Sequence, residues 1–115
     1  MSISTAGHRI SLEEAVAMTS LYRKNQPNGM PICETFDSGP VELMVANPNA
    51  AFFRIYYGMK TDGSIHAILV AADKDGKDLL PLATGQGVGD DGEGDILEDV
   101  ERCPTACPPP SPLNG

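Results

Sequence analysis

The sequence predicts an α+β fold: an antiparallel sheet of about three to five strands, with N-terminal helices packed on one face. Three observations predict it. The N-terminal quarter carries apolar residues at helical spacing behind a capping signature. The longest apolar, aromatic and β-branched stretch, Ala51 to Asp78, is punctuated by two Asp-Gly turn signals. Half of the 12 glycines and 10 prolines lie after Pro81, which predicts an irregular C-terminal third.

Met1 to Arg9 is polar and reads as frayed. Ser11 then precedes Leu12-Glu13-Glu14, so Ser11 can cap a helix and Glu14 can reach back to close a capping box. Leu12, Ala15, Val16, Thr19 and Tyr22 share one face, with Met18 and Leu21 beside them. Arg23 and Lys24 suit the negative end, and Asn25-Gln26-Pro27-Asn28-Gly29 stops the helix. Met30 to Phe36 reads as extended, since Pro31 keeps Met30 out of the helical region. Pro40 sits just inside a second start, and Val41, Leu43, Met44 and Val45 make a helix of about two turns before Asn47-Pro48-Asn49.

The hairpin follows. Ala51, Phe53, Ile55, Tyr57 and Met59 line one face of its first strand, and Phe52, Arg54, Tyr56 and Gly58 the other. The second face is mixed, which predicts that it is the more exposed one. Lys60-Thr61-Asp62-Gly63 reverses the chain, and Ser64 to Ala72 returns apolar on both faces, as a central strand is. After the turn Asp73-Lys74-Asp75-Gly76, Leu79 to Leu82 can add an edge strand marked by Pro81. The acidic, glycine-rich stretch 83–95 reads as a mobile loop, Ile96 to Arg102 as a short helical turn, and 103–115 as a Cys- and Pro-rich tail. The 115 residues thus predict one domain, with an ordered body over about 10–82.

Composition bounds function. A net charge of -8 repels phosphate backbones, so nucleic acid and anionic membranes are set aside as partners. No apolar run exceeds Ala67 to Ala72, and no secretory h-region is visible. Three cysteines, an odd number, argue against a secreted disulfide framework, so the expected home is the cytoplasm.

Candidate chemistry is sparse. Cys103 and Cys107, with three residues between them, can grip a zinc ion if Cys33, His66, His8 or a second subunit completes the tetrahedron. The plain alternative is two cysteines that pack the tail onto the body. Asp73 to Asp78 superficially suggests a calcium loop, but the glycine comes fourth and Thr84 holds the twelfth position. A hairpin turn explains these residues. The acidic run after Gly85, Gly87 and Gly89 would repel phosphate. No Ser, Cys and His set has spacing suited to nucleophilic catalysis, so no catalytic residue is assigned. Arg54, Tyr56 and His66 mark a face where a protein or peptide partner could dock.

Several motifs run in a familiar order: Ser11-Leu-Glu-Glu-Ala, Cys33-Glu-Thr-Phe36, Arg54-Ile-Tyr-Tyr-Gly-Met59, His66-Ala-Ile, Asp75-Gly with Leu80-Pro81, Cys103-Pro-x-x-Cys107-Pro, and Ser111-Pro-Leu-Asn114. In these the chain resembles, nearly end to end, an uncharacterised family of small stand-alone bacterial proteins of the Bacteroidetes type. The RIYYG strand and the CPxxCP tail are the most specific parts. The resemblance implies a free-standing, soluble bacterial protein and carries over no catalytic residue. The family often has a Gly-Cys pair before its RIYYG strand, where this chain has Asn49-Ala50.

Two functional readings follow. The first is a small binding or regulatory protein without catalysis, forming a homodimer through a sheet edge or an uncovered face. The second is a thiol or zinc protein using Cys103 and Cys107.

Overall fold

The computed structural model describes residues 7–81, 94–98, 101–104 and 106–114. The architecture is α+β. Helix α1 spans Leu12–Lys24, strand β1 Cys33–Thr35, helix α2 Ser38–Ala46, strands β2 Phe52–Met59 and β3 Ile65–Ala72, and the short strands β4 Asp78–Leu79, β5 Ile96–Leu97 and β6 Glu101–Cys103. They build two antiparallel sheets. In one, β3 is central, with β2 on one side and both β4 and β5 on the other; β1 and β6 form a separate ribbon.

Local chemistry explains most boundaries. Ser11 caps α1: its Oγ accepts from Glu14 N at 3.0 Å, and Glu14 Oε1 accepts from Ser11 N at 3.3 Å. Both hairpin turns place glycine at positive φ, Gly63 at 89° and Gly76 at 84°. Each turn is also tied by an aspartate. Asp62 Oδ1 accepts from Ser64 N at 2.9 Å, and Asp73 Oδ1 accepts from the amides of Asp75 and Lys77 at 2.9 and 3.0 Å. The Asp73 carboxylate is therefore committed to a turn.

The core is small. Among the described residues the buried apolar side chains are Met44, Val70, Ala71, Ala72, Leu79 and Cys103. Met44 brings α2 onto the β3 face carrying Leu69 and Ala71, where Leu79, Leu97 and Ala50 join it. Helix α1 buries no residue. Its inner side, Ala15, Val16, Thr19 and Tyr22, is half-buried, whereas Leu12, Met18 and Leu21 are exposed. It is moored by polar contacts: Tyr22 donates to Pro31 O at 2.6 Å and Arg23 to Leu113 O at 2.5 Å. Burial pushes the Tyr22 phenol pKa up, and the Arg102 charge opposes that shift.

Three expectations need correction or bounding. Ile96 to Arg102 is not a helical turn: its ends are strands, β5 on β3 and β6 on β1. A single isolated turn costs more to nucleate than it returns, whereas an unpaired sheet edge gains backbone bonds at once. The more exposed face of β2 is the apolar one, not the mixed one; Phe53, Ile55, Tyr57 and Met59 are 47%, 55%, 70% and 70% exposed. The predicted acidic loop lies outside the described residues except for Gly94 and Asp95, as do Met1 to Ala6, Leu82 and Val100. No helix among the described residues is long and apolar enough to cross a membrane.

Gly29 shows how tightly two loops meet. It has φ 83°, its carbonyl accepts from Ile65 N at 2.7 Å, and a Cβ on it would collide with the Gly63 carbonyl oxygen. Gly29→Ala combines that collision with a strained backbone and is expected to cost about 2 kcal/mol or more in denaturant unfolding. A loss below about 0.5 kcal/mol, the level of an ordinary surface change, would contradict this close approach.

Candidate functional site

Three places gather functional side chains: the junction of the two sheets, the outer side of β2, and the cysteine tail.

The junction is built along the β3 edge that faces away from β2. Register sets Glu34 opposite Arg102 in the β1–β6 ribbon, so both side chains leave the same face. Arg102 Nε donates to Glu34 Oε2 at 2.9 Å, and Arg102 Nη2 donates to the Ile65 carbonyl. Glu34 Oε1 accepts from Ala67 N at 2.8 Å. These two side chains thus satisfy β3 backbone groups that a strand would otherwise pair. His66, 8% exposed, lies in the middle. Its Nε2 is 3.1 Å from Arg102 Nη1 and 2.9 Å from Ser64 Oγ. Arginine only donates, so Nε2 accepts and the ring proton sits on Nδ1. Nδ1 is 2.9 Å from Glu98 Oε1 and 3.6 Å from Glu34 Oε2. The approach to Glu98 is not aligned as a hydrogen bond, and both buried atoms lack such a partner. Lys60 Nζ, 3.3 Å from the same Glu98 oxygen, adds a cation at the rim.

Ser64, His66 and Glu98 have the order of a nucleophile, a base and an acid, a grouping that sequence spacing did not reveal. The hydrogen bonds point elsewhere. The one Ser64 hydroxyl proton is drawn to Asp62 Oδ1 at 2.6 Å, and Arg102 already occupies the His66 Nε2 lone pair. This hydrogen bond to Ser64 also holds the Asp62 carboxyl below its usual range. The cluster is a joint that fixes the start of β3. Beside it opens a cavity of about 290 Å³, walled by Met59, Ile68 and Ile96 with Lys60, His66 and Glu98 at its polar end.

On β2, Arg54 and Tyr56 project from the same side as His66, since Gly58 pairs with His66 and Tyr56 with Ile68. Both are engaged. Arg54 binds Asp78 and the Gly76 carbonyl, the latter at 3.0 Å, and Tyr56 donates to Asp78 Oδ2 at 2.5 Å. The predicted docking face is therefore divided: His66 is buried in the junction, and Arg54 with Tyr56 straps β2 to the β4 turn. The Tyr56 hydroxyl, and after it Arg54, hold the Asp78 carboxyl below its usual range.

The opposite side of β2 is the open one. Lys60 N donates to Ser64 O at 2.9 Å, which sets the phase of the ladder: even-numbered residues of β2 exchange bonds with β3. Phe53, Ile55, Tyr57 and Met59 then turn their N–H and C=O groups to the outer edge, and no described strand pairs with them. The same four residues carry an exposed apolar row along one face.

In the tail, Cys103 and Cys107 are joined by a disulfide. The bend that joins them is held by Ala106 N donating to Arg102 O at 2.7 Å. In this state neither sulfur offers a thiolate to zinc, and no group of three or more His, Cys, Asp or Glu among the described residues is disposed around a common metal position. His8 is exposed and Cys33 is a free, half-buried thiol.

Two outcomes follow. Glu34→Ala strips the Ala67 amide of its acceptor and leaves the Arg102 charge uncompensated, and is expected to cost about 3 kcal/mol in denaturant unfolding, with Glu34→Gln losing clearly less. Equal losses in the two variants would show that the carboxylate position does not matter. The second concerns acid. A carboxyl whose folded pKa is depressed stabilises the fold above its unfolded pKa, and that stability is lost as pH falls through the folded value. Tyr56→Phe should therefore raise the Asp78 titration midpoint, read by NMR, and move acid unfolding to higher pH. An unchanged midpoint would remove Tyr56 as the main cause.

No protein-family model matches the chain, and neither a curated protein nor a solved structure matches it.

Proposed function

We propose that the protein is a small non-catalytic binding module, that its working surface is the outer edge of β2 with the apolar side chains along it, and that the occupant is a second copy of the chain. One observation carries this reading: the unpaired backbone edge and the exposed apolar row belong to the same four residues, Phe53, Ile55, Tyr57 and Met59. This eight-residue aromatic strand has no proline, lysine or bulge to keep its edge from pairing, and its single charge, Arg54, is turned to the other face and held by Asp78.

Two copies of β2 fit by a two-fold axis at Tyr56. Phe53 then faces Met59 of the second copy and Ile55 faces its Tyr57, so every outward backbone pair is used. The apolar row aligns across the axis, with aromatic–aliphatic and aromatic–sulfur neighbours. On the same side of the sheet, α2 adds Leu43 and Val45, both more than half exposed. The small core is consistent with a chain that completes its apolar packing by association.

A second reading, a thiol protein, is favoured by one observation: Cys33 stands directly opposite Cys103 in the β1–β6 ladder.

Light scattering coupled to size exclusion tests the first reading. The wild type is expected to run as a dimer, and Tyr57→Lys and Ile55→Lys as folded monomers, since both side chains are exposed in the single chain. Added salt should tighten the dimer, because it screens the repulsion between two copies of charge -8 while leaving apolar contacts intact. A wild type that stays monomeric at high concentration, or lysine variants that remain dimers, would contradict it.

A further inference from the structure

We propose that Cys33, Cys103 and Cys107 form a three-cysteine exchange site, in which the disulfide passes between Cys103–Cys107 and Cys33–Cys103 and the exposed Cys107 thiol so released reacts with low-molecular-weight disulfides. This rests on and deepens the thiol reading, and does not depend on the dimer.

The topology brings the three cysteines together: Cys103 is bonded to Cys107 and pairs with Cys33 in the ribbon. Cys33 and Cys103 are directly opposed in antiparallel register, so their side chains leave the same face of the ribbon. Opposed residues hold their Cβ atoms about 4.5–5.5 Å apart, against about 3.5–4.5 Å in a disulfide, so a shift of about 1 Å suffices. The ribbon does not have to open for this. Ile32 N donates to Cys103 O at 2.7 Å, and the Glu34–Arg102 bond at 2.9 Å clamps the next residue pair. Cys33 is thereby kept beside Cys103 as an intramolecular nucleophile at high effective concentration.

Burial ranks the three. Cys103, 3% exposed, is the shared inner sulfur; Cys33 is half-buried; Cys107 is open to solvent. The step balances without an outside oxidant. The Cys33 thiol gives its proton to solvent, and its thiolate attacks Cys103 Sγ along the sulfur–sulfur axis. The Cys33–Cys103 bond forms, the Cys103–Cys107 bond breaks, and the electron pair leaves on Cys107 Sγ. The reverse step is equally balanced. Once free, the Cys107 thiolate attacks an external disulfide, forms a mixed disulfide and releases one external thiolate. The tail is compact enough to keep Cys107 near its partners: Arg23 holds Leu113, and Asn114 binds both Ser111 N and Pro109 O.

The exchange also changes what the bond constrains. Cys103–Cys107 closes a four-residue separation, whereas Cys33–Cys103 ties β1 to β6 across most of the chain. A longer closed loop removes more freedom from the unfolded chain, so the second isomer should be the more heat-resistant.

The full chain is equilibrated in a reduced and oxidised glutathione buffer, blocked with a thiol alkylator, and mapped as non-reduced peptides by mass spectrometry. The wild type is expected to give both isomers, one with alkylated Cys33 and one with Cys107 alkylated or carrying glutathione. Cys107→Ser, a change at an exposed position, should form Cys33–Cys103 and melt higher than Cys33→Ser, which can form only Cys103–Cys107. The proposal is overturned if Cys107→Ser keeps two free thiols in a buffer that oxidises Cys33→Ser, or if the wild type shows Cys103–Cys107 alone. The wild-type map needs no substitution, so it decides the matter even where a variant folds poorly.

Discussion

The whole structure turns on how β3 completes its second edge. A central strand buried on both faces cannot leave N–H and C=O groups without partners. One edge is satisfied along its length by β2. The other is satisfied in four pieces: Gly29 and Arg102 at Ile65, Glu34 at Ala67, β5 at Leu69 and Val70, and β4 at Ala71 and Ala72. Glu34 and Arg102 are the critical pair, because they do with side chains what a strand does with backbone, and they anchor the β1–β6 ribbon in the same act. A carboxylate that accepts from both an amide and a guanidinium is strongly held, and its removal strands both donors. His66, the turn at Ser64 and the position of Glu98 all depend on this joint.

The two sides of the sheet are consequently unlike. The joint side is closed by ion pairs and short strands. The β2 side ends in open backbone groups beside four exposed apolar side chains. A chain with a net charge of -8 is kept apart from other chains at long range, and at short range it presents an open edge able to pair with another strand. The proposed self-complementary contact would use every outward group of the strand, through the two-fold register. Cys33 and Cys103 lie on the ribbon, at the opposite side of β3 from β2, so the proposed association and the proposed thiol exchange use separate surfaces.

Much of the fold was legible because it rests on local chemistry. The Ser11–Glu14 capping box and the Asp62-Gly63 and Asp75-Gly76 turns involve residues a few positions apart, and the apolar run of β3 marked it as central. The joint was not legible. Glu34 and Arg102 are separated by 68 positions, and strands of two or three residues, such as β5 and β6, show no periodicity. The pairing of Cys33 with Cys103 was hidden for the same reason, since it exists only through the register of β1 on β6. The exposed side of β2 was assigned to the mixed face because apolar residues were expected to turn inward. That expectation assumes one chain supplies its own cover, and here Arg54 and Tyr56 fold down onto Asp78 while Phe53, Ile55, Tyr57 and Met59 stay open.

Residue-resolved amide hydrogen exchange at low and high protein concentration tests this account most directly. Ala67, whose amide is held by Glu34, is predicted to be protected at both concentrations. The amides of Phe53, Ile55, Tyr57 and Met59 are predicted to exchange freely at low concentration and to gain protection together as concentration rises. An unprotected Ala67, or β2 amides that exchange equally fast at both concentrations, would contradict it.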